Sequence, residues 1–184
     1  MTLALQASGT VEIDGASVPY YDAGPHQSGR LPLLLVHGTA GSTNSHFGYL
    51  FPMLAYRQRV ISLDLSPGAD PQAPLQVEDL VRQVMAVAER VLGPGQPFAL
   101  AGYSLGAVVA AATAGLHPGV VRQLVLVAGW IQTDTQQQLR SHVWHGLRQA
   151  LPPSAAASVP ARATYPCWRW PCSWHRSLSW RGTQ

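Results

Sequence analysis

The sequence predicts an α/β domain in which a mostly parallel sheet carries helices on both faces. Four short apolar runs suit strands that are buried on both sides, and helical segments separate several of them. This alternation is typical of parallel sheets with right-handed crossovers. The chain has 184 residues, 47% of them apolar and 11% charged, which suits one globular domain of ordinary size. The predicted strands are 31–36, 59–65, 97–102 and 121–129.

The first elements along the chain are extended. Residues 10–22 form two runs around Asp14-Gly15, a dipeptide that accepts positive φ and indicates an antiparallel hairpin. After the strand at 31–36, residues 45–56 are expected to form a short helix whose length Pro52 limits.

Two further helices follow from the spacing of apolar residues. Residues 75–92 carry apolar side chains three and four positions apart with charges between them, which predicts an amphipathic helix. The segment LGAVVAAATAGL, from Leu105, is apolar nearly all round and must be buried as a helix. Thr133 and Gln136 fit a capping box for a helix that runs to about Leu151.

The composition changes after Pro153. Residues 1–153 have eight Arg and nine acids, whereas residues 154–184 have four Arg, no acid, four of the six Trp and both cysteines, Cys167 and Cys172. We expect 1–153 to be the folded domain and 154–184 a tail without stable packing. An out-of-frame or otherwise unselected terminus, a disordered native tail, and an aromatic, basic segment for a membrane surface or nucleic acid are the three interpretations.

Composition also bears on several classes of protein. The positive net charge belongs to the tail, so it does not favour a nucleic-acid partner for the body. No run of about 18 apolar residues predicts a membrane span, and the first ten residues lack the features of a secretory signal, so a cytoplasmic location is expected. The body has no cysteine, and no metal or cofactor is predicted. A nucleotide site is not favoured, since the chain lacks lysine and has no G-x-G-x-x-G after its first parallel strand.

The residues with the strongest chemical signal are Gly102-Tyr103-Ser104-Leu105-Gly106, a G-x-S-x-G set between a predicted strand and a predicted helix. A sharp turn there needs small residues two before and two after the serine. The turn would expose the Ser104 hydroxyl at a helix N-terminus, where unpaired N–H groups stabilise developing negative charge. Chance occurrence of the pattern is the alternative.

A second motif, His37-Gly38-Thr39, ends the earlier strand at 31–36. Together LLLVHGTAGS, LDLSPG and GYSLGA resemble the α/β-hydrolase family over about residues 10–150. The resemblance implies a nucleophilic Ser104 and an oxyanion hole formed by the backbone N–H groups of Thr39 and Leu105. It also implies that His37 supports the loop and is not the catalytic base.

The family places an acid and then a histidine on later strands after the serine. Those strands are not evident here, and the last acid of the chain is Asp134. Asp134 is a candidate acid, although capping of a helix explains it better. His175 is a candidate base because it follows the serine in the family's order.

Two hypotheses about function follow. The chain is a serine hydrolase that acts on a small-molecule ester or related acyl substrate through Ser104, or it is an inactive hydrolase fragment or pseudoenzyme that lacks the acid and base. We expect low activity, because a serine hydroxyl without a positioned base is a poor nucleophile. We also expect residues 122–128 to form a sheet edge through which the chain self-associates.

Overall fold

The structure is a computed structural model, which describes residues 4–26, 29–67 and 75–130 and the single positions 135, 136 and 139. Residues Met1–Ile131 form one compact unit. Asp134, His175, the helix predicted from Thr133 and the tail 154–184 lie outside the described residues. The domain boundary at residue 153 stays a prediction.

Ten elements make up the described chain. The strands are β1 (Gly9–Ile13), β2 (Ala16–Ala23), β3 (Leu33–Val36), β4 (Val60–Leu63), β5 (Phe98–Tyr103) and β6 (Val121–Val127). The helices are α1 (Thr43–Phe47), α2 (Leu50–Ala55), α3 (Val77–Leu92) and α4 (Leu105–Leu116). All four apolar runs of the sequence are strands.

The six strands form one mixed sheet in the order β1-β2-β4-β3-β5-β6. β1 pairs with β2 and β2 with β4 in antiparallel fashion, while β4, β3, β5 and β6 run parallel. The predicted fold class is therefore confirmed. The carboxyl ends of β3 and β5, which are neighbours, meet at one edge of the sheet, and both sequence motifs follow those ends.

The N-terminal hairpin is confirmed at its turn. Asp14 has φ 50° and Gly15 has φ 73°. Positive φ at both central residues is the type I′ turn, whose twist matches that of the flanking strands.

The helical prediction over 45–56 is confirmed in part, because the stretch is helical but is divided into two short helices, α1 and α2. α1 ends at Gly48, where a Cβ would collide with the Asn44 carbonyl oxygen. Pro52 is the third residue of α2, where the missing N–H costs nothing because first-turn N–H groups have no partner within the helix.

Side chains cover both faces of the sheet. Phe47 and Phe51, from α1 and α2, pack with Leu35 and Val60 on one face. Leu34, next to Leu35 on β3, points to the opposite face and is also fully buried. α3 and α4 pack against each other, and α4 packs on β3, β5 and β6. α4 is largely buried, as its uniformly apolar sequence predicts.

β6 is the last strand of the described sheet. The strand is apolar on both faces, yet Leu124, Val125, Leu126 and Val127 are 40–52% exposed. The expected edge position is confirmed for the described sheet, and its apolar side chains are open to solvent.

Candidate active site

Ser104 occupies a sharp turn between β5 and α4. Its backbone has φ 55° and ψ −118°, a conformation that L-residues rarely adopt. Residues in such regions cost about 1–3 kcal/mol and concentrate at active sites. The Ser104 N–H donates to the Val127 carbonyl at 2.8 Å, while its partly exposed side chain makes no capping hydrogen bond to α4. The turn therefore holds the backbone and leaves the hydroxyl available.

Two glycines make this turn possible for steric reasons. A Cβ on Gly102 would collide with the backbone of Gly106, and a Cβ on Gly106 would collide with the Val36 carbonyl oxygen. β5 therefore approaches the first turn of α4, and that turn approaches β3, too closely for any side chain. The requirement for small residues on either side of Ser104 has a direct cause in backbone contact.

The loop after β3 lies against the serine. A Cβ on Gly38 would lie 3.0 Å from the Ser104 Cβ and 3.2 Å from the Tyr103 carbonyl oxygen. The His37-Gly38-Thr39 motif and the Ser104 turn therefore meet, as expected for motifs that follow neighbouring parallel strands.

His37 fastens this loop from inside the fold. The Leu65 N–H donates to its Nε2 at 2.9 Å, so the proton lies on Nδ1, which donates to the Gly38 carbonyl oxygen at 2.7 Å. Burial holds the pKa of His37 below its ordinary value of 6.5, which favours this neutral form. Both ring nitrogens are engaged by backbone groups, so His37 supports the loop.

Thr39 and Leu105 supply the backbone amides of the predicted oxyanion hole. The Thr39 N–H donates to no other group in the described part of the chain. Leu105 is the first residue of α4, where an N–H has no partner within the helix. Thr39 Oγ1 is also the one buried side-chain oxygen or nitrogen of the described residues without a hydrogen-bond partner. Buried polar groups nearly always have partners, so the unpaired Thr39 hydroxyl is an exception.

Sequence reasoning missed Asp64, which holds α1 in place. Its Oδ1 accepts from the Thr43 N–H at 2.6 Å and its Oδ2 from the Tyr21 hydroxyl at 2.9 Å. Thr43 is the first residue of α1, and a carboxylate at a helix N-terminus is stabilised by the unpaired N–H groups there. The position of Asp64 directly after the buried strand β4 is the sequence feature that could have identified it.

His46, on α1, is a second residue that the sequence gave no reason to select. Its Nδ1 accepts from the Gly38 N–H at 3.1 Å. Its ring contacts the Tyr103 ring edge to face, with the centroids 5.2 Å apart.

Neither histidine beside the turn is a base for Ser104 in this arrangement. His37 is bonded through both ring nitrogens, and the Nδ1 of His46 is taken by Gly38. Within the described ranges no group of three or more His, Cys, Asp or Glu side chains is placed to hold a metal ion. No helix there is long and apolar enough to cross a bilayer.

The arrangement contains some of the groups that an acyl-transfer reaction would use. A serine hydroxyl lies at a strained turn, and two amides without partners flank it on the chain segments that meet there. A carbonyl compound at this point would present its carbon to the hydroxyl and its oxygen to N–H groups.

Comparison with known proteins identifies the family to which this fold belongs. Residues 32–167 match the model of the alpha/beta hydrolase fold family. The chain is 36% identical over 121 residues to the pyrrolizixenacetamide deacetylase of Xenorhabdus hominickii, a match that covers 62% of this chain and 44% of the relative. It is 34% identical over 150 residues to the dihydrolipoyllysine-residue acetyltransferase component of the acetoin cleaving system of Pseudomonas putida, over 77% of this chain and 38% of the relative.

Among solved structures, the chain resembles an alpha/beta hydrolase fold protein from Burkholderia ambifaria with a TM-score of 0.68 and 19% identity. That match covers 86% of this chain and 58% of the solved one.

The chain spans less than half the length of each of the two curated relatives.

Proposed function

The chain belongs to the α/β hydrolase fold family, and from this premise we propose that it is a serine hydrolase acting on an ester or related acyl substrate through Ser104. The observation that carries the proposal is the backbone of Ser104. It is held at φ 55° between a parallel strand and a buried helix, with Gly38 in contact. A serine in a sterically costly conformation, with its hydroxyl unbonded to the helix it begins, suits a nucleophile better than a helix cap.

The proposed reaction has two half-reactions. The Ser104 Oγ attacks the acyl carbon while its proton passes to a base, and the carbonyl electron pair moves onto oxygen beside the Thr39 and Leu105 N–H groups. The alcohol, thiol or amine then leaves with a proton, and Ser104 carries the acyl group. Water attacks this ester, releases the carboxylic acid and restores the hydroxyl. The reaction as proposed needs no metal or cofactor.

The proton acceptor is the part that the described residues do not supply. His175 is the candidate base and Asp134 the candidate acid that orients it, since both follow Ser104 in the chain. Both assignments rest on the family's order of triad residues.

An acyl substrate is also supported by the relatives. One of them is named as a deacetylase and another as an acetyltransferase component. Both names describe transfer of an acyl group.

The second candidate is a catalytically inactive member of the family. The observation that favours it is the engagement of both histidines near the turn, which leaves Ser104 without a base among the described residues. In that case the scaffold and the predicted oxyanion hole persist without turnover.

A burst experiment with p-nitrophenyl acetate separates the candidates. We expect slow release of about one equivalent of p-nitrophenol per chain, because Ser104 without a positioned base attacks even an activated ester slowly, and its acyl-enzyme is then hydrolysed more slowly still. Ser104→Ala should abolish the burst, whereas Ser66→Ala, at a serine beyond β4, should retain it. Equal release by the wild type and Ser104→Ala would establish the inactive member.

The same assay tests the candidate base and acid. Efficient steady-state turnover that His175→Ala and Asp134→Asn both abolish would assign the triad. Turnover unaffected by either variant would remove these residues from the site.

A further inference from the structure

We propose that His46 is a positioning residue of the oxyanion hole, which fixes the backbone of Gly38 and thereby the direction of the Thr39 N–H. This inference rests on the proposed function and adds to it a residue that the family's motif does not include.

Glycine at position 38 avoids a tight contact and has a cost in backbone freedom. A Cβ there would lie 3.0 Å from the Ser104 Cβ and 3.2 Å from Tyr103. Glycine is the residue with the most backbone freedom, and φ and ψ of Gly38 determine where the next N–H points. A loop with an unrestrained Gly38 would leave the Thr39 N–H without a fixed direction.

Two imidazoles hold Gly38 from its two sides. The Nδ1–H of His37 donates to the Gly38 carbonyl oxygen at 2.7 Å, which fixes the peptide group that contains the Thr39 N–H. The Nδ1 of His46 accepts from the Gly38 N–H at 3.1 Å, which fixes the preceding peptide group. Because each peptide group is planar, holding both planes determines φ and ψ at the Cα between them. The freedom that the missing side chain gives is thus removed by hydrogen bonds.

The His46 ring is itself held in place. Tyr103 contacts it edge to face, and a Cβ on Gly41 would collide with its Cε1 and Nδ1, so the loop closes directly over the ring. The Gly41 N–H donates back to the Gly38 carbonyl oxygen at 3.2 Å. The ring therefore lies between the loop and the residue that precedes the nucleophile.

The helix that carries His46 is fastened to the sheet. The Asp64 carboxylate binds the Thr43 N–H, and the Thr43 hydroxyl lies 2.8 Å from the Ser62 hydroxyl on β4. Asn44 exchanges two hydrogen bonds with the backbone of Leu5. α1 is only five residues long. These hydrogen bonds nevertheless fix its position, and with it the position of the His46 ring beside Gly38.

The test compares His46→Asn with His46→Phe. The Oδ1 of asparagine is as many bonds from Cβ as the Nδ1 of histidine and accepts a hydrogen bond, whereas phenylalanine keeps a ring beside Tyr103 without an acceptor. His46→Leu repeats the acceptor-free variant in case a phenyl ring does not fit under Gly41. His26→Phe, at an exposed histidine after β2, is the matched control.

The rate of inactivation of each folded variant is measured at several concentrations of a fluorophosphonate. The data give the maximal rate and the reagent concentration at which half of that rate is reached. We expect the maximal rate to fall about tenfold in His46→Phe, since a displaced oxyanion donor weakens the transition state. The half-maximal concentration should stay unchanged, because reagent binding does not use the oxyanion hole. His46→Asn should recover to within about threefold of the wild type.

The outcomes are distinct. Two results would overturn the role of the His46 acceptor and leave the proposed function standing, provided that the wild type is labelled at Ser104. In the first, His46→Phe is labelled as fast as the wild type. In the second, His46→Asn is impaired as much as His46→Phe. A wild type that is not labelled at Ser104 would overturn the proposed function, and the role of His46 with it.

Discussion

The neighbouring strands β5 and β6 have similar apolar sequences and opposite surroundings. Leu100 on β5 is fully buried, whereas Leu124, its partner in register on β6, is 40% exposed. β5 is paired on both sides and ends in the tight turn at Ser104, while β6 has a strand on one side only in the described sheet. The comparison teaches that an apolar run predicts a strand without predicting how many neighbours the strand has.

The largest effect is expected where the strained turn packs against β3. Gly106→Ala forces a Cβ against the Val36 carbonyl and should lower the free energy of unfolding by about 3 kcal/mol. Gly119→Ala is the control, because nothing lies within 4 Å of a Cβ there, and it should change stability by less than about 0.5 kcal/mol. Urea denaturation measures both. Equal effects of the two substitutions would mean that the close approach at Gly106 is absent.

The next effect is a pH dependence that arises at His37. Because its pKa is lowered in the folded state, the unfolded chain binds more protons just below pH 6.5. Stability should therefore rise with pH between the lowered folded pKa and 6.5, by at most about 1.4 kcal/mol per pH unit. His37→Gln should remove this part of the slope, and His26→Gln should retain it. An unchanged slope in His37→Gln would show that His37 does not titrate in the way its burial implies.

A smaller effect tests the backbone conformation of Ser104. Glycine adopts φ near 55° without steric cost, so Ser104→Gly should be more stable than Ser104→Ala by about 1 kcal/mol. Both variants lack the hydroxyl, so thermal or urea unfolding of the two measures the contribution of backbone strain to stability. If Ser104→Ala is the more stable variant, Ser104 does not have a left-handed backbone.

The smallest change in the free energy of unfolding is expected at β6, where the change in self-association should be measurable. An apolar edge open to solvent favours pairing with another chain. Val125→Lys should change the free energy of unfolding by less than about 0.5 kcal/mol, yet shift sedimentation toward the monomer. Met53→Lys, at an apolar residue that is 70% exposed on α2, is the control and should leave sedimentation unchanged. A wild type that is monomeric at high concentration would remove the proposed self-association.

The sequence predicted those features that depend on neighbours along the chain. Asp14-Gly15 predicted the hairpin turn, and the glycines around Ser104 predicted a sharp strand-to-helix turn, because both patterns are recognisable within five residues of sequence. The break between α1 and α2 was not predicted, although a Cβ at Gly48 would collide with the carbonyl oxygen of Asn44, only four residues earlier.

Contacts between separate elements were the part that the sequence did not predict. His46 reaches Gly38 only because α1 folds back over the loop, and Asp64 reaches Thr43 across 21 residues. No spacing rule relates such positions. The motifs therefore predicted the turn at Ser104 and the loop that meets it, while the side chains that hold the loop in place required the three-dimensional structure.

The most direct test of Ser104 as the nucleophile is the location of a covalent adduct. The protein is incubated with a fluorophosphonate, and intact mass followed by sequencing of proteolytic peptides identifies the modified residue. A single adduct should form slowly on Ser104, and none should form in Ser104→Ala. An adduct on a different residue, or equal labelling of Ser104→Ala, would contradict it.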